Sequence, residues 1–225
     1  MGAHLQREID RLKKQVLSLC SLVESQVERA LRAVMERDEA LAEEVERDDV
    51  EIDHREIEVE EECLKTLALH QPVAIDLRMI IVALKINNDL ERIGDMAVNI
   101  ARKARGLRDD PPPAVACDLG AMWAKTQAML RDSIDALVNL DAAAAQDVCR
   151  RDNEVDAMKA SIRKEVEQVL RRQPEQVGPL LKLLAVSRNL ERIADLATNI
   201  AEDVIYLVEG RISRHGTKFG MDKGL

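Results

Sequence analysis

Aromatic side chains are nearly missing from this chain of 225 residues, which holds one Trp, one Tyr and one Phe. The core must therefore come from Leu, Ile, Val, Ala and Met, a set that suits packed helices better than sheets. Glycine is absent from Ala3 to Ile93, whereas a sandwich or barrel needs a turn signal every ~8–12 residues. An all-β fold is excluded on both counts. No apolar run approaches the roughly 20 residues of a membrane-spanning helix; the longest, Met79 to Leu84, is closed by Lys85. Excess positive charge is missing too. With a formal net charge of −9, attraction to nucleic acid or anionic lipid has no electrostatic basis, and bases would find no aromatic platform to stack on.

Cys20, Cys63, Cys117 and Cys149 lie far apart with no CxxC, which reads as buried reduced thiols rather than a disulfide frame or a zinc knot. The N-terminal MGAHLQREIDRLKK carries no apolar h-region and no small-residue cleavage site, so a cytoplasmic protein without membrane insertion is expected. GxSxG, GxxxxGK[ST] and GxGxxG patterns are all absent, leaving no nucleophile elbow and no phosphate cradle.

What is there is helix punctuation and repetition. Proline occurs only at 72, 111–113, 174 and 179, and Asp38 and Asp141 each follow an amphipathic run, where an aspartate caps the next helix. Six helices are predicted, over 5–37, 39–70, 73–107, 114–140, 142–172 and 175–210. The halves match. Asp38 pairs with Asp141, and Asp49-x-x-x-Asp53 with Asp152-x-x-x-Asp156, at an offset of 103. Gln71-Pro72 pairs with Gln173-Pro174, and LERIGDMAVNIA (90–101) matches LERIADLATNIA (190–201) at nine of twelve positions. The expected fold class is all-α, as two tandem, sequence-related three-helix bundles of antiparallel helices. Residues 1–110 and 111–213 form the two bundles, and 214–225 a C-terminal tail.

Residues four apart on a helix lie about 40° from one another, so Glu91, Asp95 and Asn99 form one oxygen-rich stripe, repeated as Glu191, Asp195 and Asn199. With Leu90 at zero, that stripe falls at roughly 100–180°, away from the apolar face of Ile86, Ile93, Ala97 and Ile100. The bundles should therefore fold without metal. Helices two and five add Asp49/Asp53 and Asp152/Asp156. Like charges at i,i+4 cost about 0.2–0.5 kcal/mol per pair, an expense that a bound cation would offset. Oxygen ligands from two helices suit Mg, Mn, Ca or iron, whereas structural zinc normally brings Cys or His. A solvated acidic face is the other reading of the bare pattern. Helix two extends its stripe through Glu56 and Glu60 where helix five has Lys159 and Arg163, so the first site should be the more negative. Glu51-x-x-His54 has one half of a di-iron spacing, but the second half has Glu154-x-x-Ala157, so His54 reads as a surface residue. Arg92 and Arg192 are expected to pair with Asp95 and Asp195.

QPVAIDLR (71–78), LERIGD (90–95), LERIAD (190–195) and VIYLVEGRISRH (204–215) closely resemble the PhoU family, with similarity from about His4 to His215. The resemblance implies paired three-helix bundles, often homodimeric, with acidic E/DxxxD motifs able to hold metal clusters. It implies a negative regulator of phosphate-starvation signalling, an adaptor and not an enzyme. Such an adaptor would sit between the phosphate ABC transporter, through its ATPase subunit, and a sensor histidine kinase. Carried over by position, the metal ligands are Asp49, Asp53, Glu91 and Asp95, then Asp152, Asp156, Glu191 and Asp195, with Asn99 and Asn199 as secondary candidates. The cofactor would be iron, manganese, magnesium or zinc. A metal-handling bundle that stores or oxidises iron on the same clusters is the alternative function.

Overall fold

The computed structural model describes residues 3–107, 109–110, 115 and 117–210. Among them the chain is all-α: α1 (Ala3–Glu36), α2 (Glu39–His70), α3 (Ala74–Ala101), α4 (Leu119–Asn139), α5 (Ala142–Arg172) and α6 (Val177–Glu209). A single 3-10 turn, Pro174–Gln176, leads into α6. No helix among the described residues is long and apolar enough to cross a membrane.

Both aspartate caps form. Asp38 accepts the Leu41 N–H at 3.0 Å, and Asp141 accepts those of Ala143 and Ala144 at 2.9 and 3.0 Å. Each cap follows a residue in the left-handed region, Arg37 (φ 58°) and Leu140 (φ 54°), so the two repeats turn into their second helix the same way. Two boundaries differ from the expected ones. Helix α3 ends at Ala101 rather than near 107, because the chain tightens into i→i+3 bonds such as Leu107 N–H to Ala104 C=O. Gly106, at φ +70°, then donates its N–H to Glu39 at 2.7 Å and fixes the exit. Helix α4 begins at Leu119 rather than 114, capped by Asp118, whose carboxylate accepts from Ala121. The expected proline linker at 111–113 and the tail at 214–225 lie outside the described residues.

The first three helices pack on one another, as do the last three, and α3 lies against α6. Contacts of Arg78 with Gly210 and of Lys85 with Asp203 run the two antiparallel. These are the core helices: 15 of 28 residues of α3 are buried, against 7 of 32 in α2. Ile86, Leu90, Ile93, Ala97 and Ile100 are all inaccessible to solvent, which places the apolar face of α3 where its periodicity predicts. Helix α2 buries one narrow row at heptad spacing, Val45, Ile52, Val59 and Thr66, with Ala42 and Cys63 on the companion row. The companion positions between those two are Asp49 and Glu56, so carboxylates stand where a packed seam normally carries apolar side chains. Polar links tie the bundles together: Arg131 on Glu24 at 2.8 Å, and Lys85 on Asp203 at 3.0 Å with its ammonium over the Tyr206 ring.

All four cysteines are free. Burial pushes the Cys20 and Cys63 thiols up to about 12 and those of Cys117 and Cys149 to about 11, so none is a thiolate near neutral pH.

Removing either cap should be felt equally in the two repeats. Asp38→Ala and Asp141→Ala are each expected to lower stability by about 1 kcal/mol, read as a shift in urea midpoint at unchanged m-value.

Candidate functional site

Each bundle has a seam where its second and third helices meet, and the acidic pairs lie along it. In the first, Asp49, Glu56 and Glu91 are half-buried while Asp53 and Asp95 are exposed. Burial is the main force raising the Glu91 carboxyl, followed by the charges of Asp95, Asp53, Glu56 and Asp49. Asp49 is raised first by burial, opposed by a hydrogen bond from Gln26, then raised further by Asp53 and Asp95, with the Arg102 charge opposing them. These shifts place Asp49, Asp53, Glu56, Glu91 and Asp95 within one another's field, four of them expected from the sequence as ligands. Asn99 and Asn199 are exposed and take no part in these contacts.

Two residues not expected from the sequence complete this seam. Gln26 of α1, only 3% exposed, donates its amide to Asp49 at 3.0 Å and to the Val45 carbonyl at 3.3 Å. Asn87 of α3, 1% exposed, donates to the Glu56 carbonyl at 2.9 Å and to its carboxylate at 3.4 Å. The amide oxygens of both are buried without a partner. A signal for Gln26 was available, since it interrupts the apolar row Leu19, Val23, Ala30 of α1.

The second seam differs. Asp152 and Glu191 are half-buried, Asp156 and Asp195 exposed, and the Lys159 ammonium donates to Glu191 at 2.5 Å. Burial and the charges of Glu191, Asp152 and Asp156 push Asp195 up to about 6, with Lys159 opposing them. The cation acting on Asp195 is thus Lys159, not Arg192. Arg92 likewise pairs with Asp89 at 3.1 Å rather than with Asp95; Asp89 is buried and lies one turn back, in the direction a helical side chain leans. Arg163 turns away to Glu167, and His54 is exposed.

Among the described residues, no three His, Cys, Asp or Glu side chains are gathered tightly enough to hold a metal ion as they stand. The first seam's donor set is nevertheless all oxygen, the donor chemistry of a hard cation. The second already carries an ammonium on one of its four carboxylates.

Two tandem three-helix bundles, each with an acidic seam between its second and third helices, define a duplicated helical-bundle protein. The PhoU domain family matches residues 16–104 and again 119–204, once per bundle, and the chain belongs to that family. The phosphate-specific transport system accessory protein PhoU homolog of Clostridium acetobutylicum is 34% identical over 205 residues, covering 91% of this chain and 94% of its own. The Aquifex aeolicus protein of the same name is 36% identical over 209 residues, covering 93% and 95%. The crystal structure of PhoU from Pseudomonas aeruginosa matches with a TM-score of 0.86 at 35% identity, covering 92% of this chain and 99% of that one. That of the phosphate transport system regulatory protein PhoU from Streptococcus pneumoniae gives 0.85 at 28% identity, covering 93% and 99%.

The raised carboxyls set a pH dependence. Asp195 protonates near 6 when folded but near 3.8 otherwise, so its contribution is complete below about pH 4 and is lost as the pH rises through 6. In chelator, stability should rise between pH 7 and pH 5, and Asp195→Asn should flatten that rise; a urea midpoint that falls over this window would reverse the sign. Because Val45, Ile52, Ile93 and Ile100 pack the core with no help from an ion, chelator alone should leave the helical circular-dichroism signal intact.

Proposed function

We propose that this chain is a regulatory adaptor of phosphate uptake and a negative regulator of phosphate-starvation signalling. In this reading it works in the cytoplasm as a homodimer, contacting the ATPase subunit of a phosphate ABC transporter and a sensor histidine kinase. The observation that carries it is the extent of the likeness. Identities of 34–37% run over nine-tenths of the chain against proteins named as accessory to phosphate-specific transport. The surface is consistent with action through binding. The dip between α1 and α2 gathers charged side chains, Arg11, Lys14, Arg55 and Glu58, beside Gln15, Ser18 and Val59, a lining suited to a polar partner surface.

Metal belongs to this reading as a tuner of shape and surface charge. Asp49, Asp53, Glu91 and Asp95 would hold the ion in the first seam, with Gln26 fixing the Asp49 carboxylate and Asn87 that of Glu56. Iron, manganese, magnesium or zinc would supply positive charge there, drawing α2 and α3 together and reversing the repulsion along the seam. Asp152, Asp156, Glu191 and Asp195 are the matching set in the second seam, already partly neutralised from within.

Deleting the gene should switch on a phosphate-starvation promoter reporter in phosphate-rich medium, and the wild-type chain supplied in trans should silence it. A reporter that stays silent in the deletion strain, with no second copy of the gene present, would overturn the regulatory reading. Affinity capture of the tagged chain should bring down the transporter ATPase or a histidine kinase.

A further inference from the structure

The internal repeat allows each part of the first seam to be compared with its counterpart in the second. Three differences coincide. Gln26, whose buried amide orients Asp49, is replaced at the matching position of α4 by Met129, equally buried but apolar. Asn87, which holds Glu56, is replaced by Ser187, whose hydroxyl turns back to the Leu184 carbonyl at 3.0 Å. Glu56 itself is replaced by Lys159, bonded to Glu191 at 2.5 Å. The acidic pairs are kept in both seams, while every neighbour that supports them in the first is lost or reversed in charge in the second.

We propose that Lys159 is a built-in counter-cation: its ammonium occupies in the second seam the place that a metal ion takes in the first, so only the first seam binds a divalent cation tightly. This rests on the reading that the first seam's carboxylates hold metal. The charge balance supports it. Five carboxylates (Asp49, Asp53, Glu56, Glu91, Asp95) and Arg102, whose charge reaches Asp49, give the first seam a formal −4, whereas four carboxylates and one ammonium give the second −3. Position supports it as well. The Glu191 side chain is 16% exposed and Lys159 38% exposed, so the pair sits in the seam rather than in open solvent. A metal entering there would have to displace a tethered ammonium from a half-buried carboxylate, and would find no buried amide to fix its other ligands.

The test is Mn²⁺ binding to the full chain after stripping with chelator, by equilibrium dialysis with elemental analysis. The wild type should show one tight class, lost in Glu91→Ala/Asp95→Ala and kept in Glu191→Ala/Asp195→Ala. Lys159→Glu should add a second class at least tenfold tighter than the wild-type second seam. Lys159→Met, which removes the cation without adding a ligand, should give an intermediate gain and guards against misfolding of the charge-reversed variant. Without metal, Lys159→Glu should melt below wild type, with the loss recovered on adding Mn²⁺. Two classes of equal affinity in the wild type, or no gain in either Lys159 variant, would overturn the counter-cation while leaving metal binding intact. Failure of wild type and variants alike to take up Mn²⁺ would overturn the metal reading, and the counter-cation with it.

Discussion

The architecture hangs on the need to surround two apolar helices with neighbours almost devoid of aromatic side chains. Without large rings to fill space, helices must approach closely, and α3 and α6 present small residues where they do. A Cβ on Gly94 would lie 3.2 Å from two carbons of Ile52, tighter than side chains normally pack, and at the matching place in the second half the sequence permits only one further methyl, Ala194. Close approach narrows the strip of α2 and α5 that can be covered. Only 7 of 32 residues of α2 are buried, and much of the rest of its surface is charged, with Val50, Ile57 and Leu64 exposed among the acidic side chains.

That narrowness accounts for the seams. A two-row heptad stripe has room for few side chains, and in α2 two of those places go to Asp49 and Glu56. Burying carboxylates beside other carboxylates is unfavourable, as their raised protonation shows. The fold tolerates it because the adjoining row of Val45, Ile52, Val59 and Thr66 is fully packed, while the row on the other side, with Asp53 and Glu60, lies open to solvent. In the second bundle the cost is reduced locally by Lys159. The two solutions, one leaving the charge open and one cancelling part of it, occupy equivalent positions in one duplicated scaffold.

Much of this was legible in the sequence. The composition pointed to the class, Asp38 and Asp141 marked two helix starts through their capping chemistry, and offsets of 103 on the second helices and 100 on the third paired the seams before any coordinates. The segment Arg102–Leu107 misled because its residues are good helix formers, and the exit there is fixed by Gly106, whose N–H donates a hydrogen bond to Glu39, a contact 67 residues away in the chain. Arg92 was paired with the wrong aspartate because a helical wheel ignores the tilt of side chains toward the preceding turn. Gln26 and Asn87 were missed for a different reason. The acidic pattern lay on helices two and three, while one of the groups that orients it comes from α1, and no local spacing records a contact between helices.

Helix α3 has a double task that bears on how such a protein could report on a bound ion. It carries Glu91 and Asp95 on the seam side, and it is also the helix that packs on α6. The junction with α6 is not greasy throughout. It includes Lys85 on Asp203, an ion pair with one half-exposed and one buried partner, whose geometry restricts how far the helices can slide. A change in charge along the seam alters the force between α2 and α3, and a rigid helix cannot yield to it on one side only. With the second seam held by its own lysine, the two bundles are not loaded alike. Their relative position is therefore the quantity that cation binding at the first seam would bias, and a partner that contacts both bundles is the kind of protein able to read it.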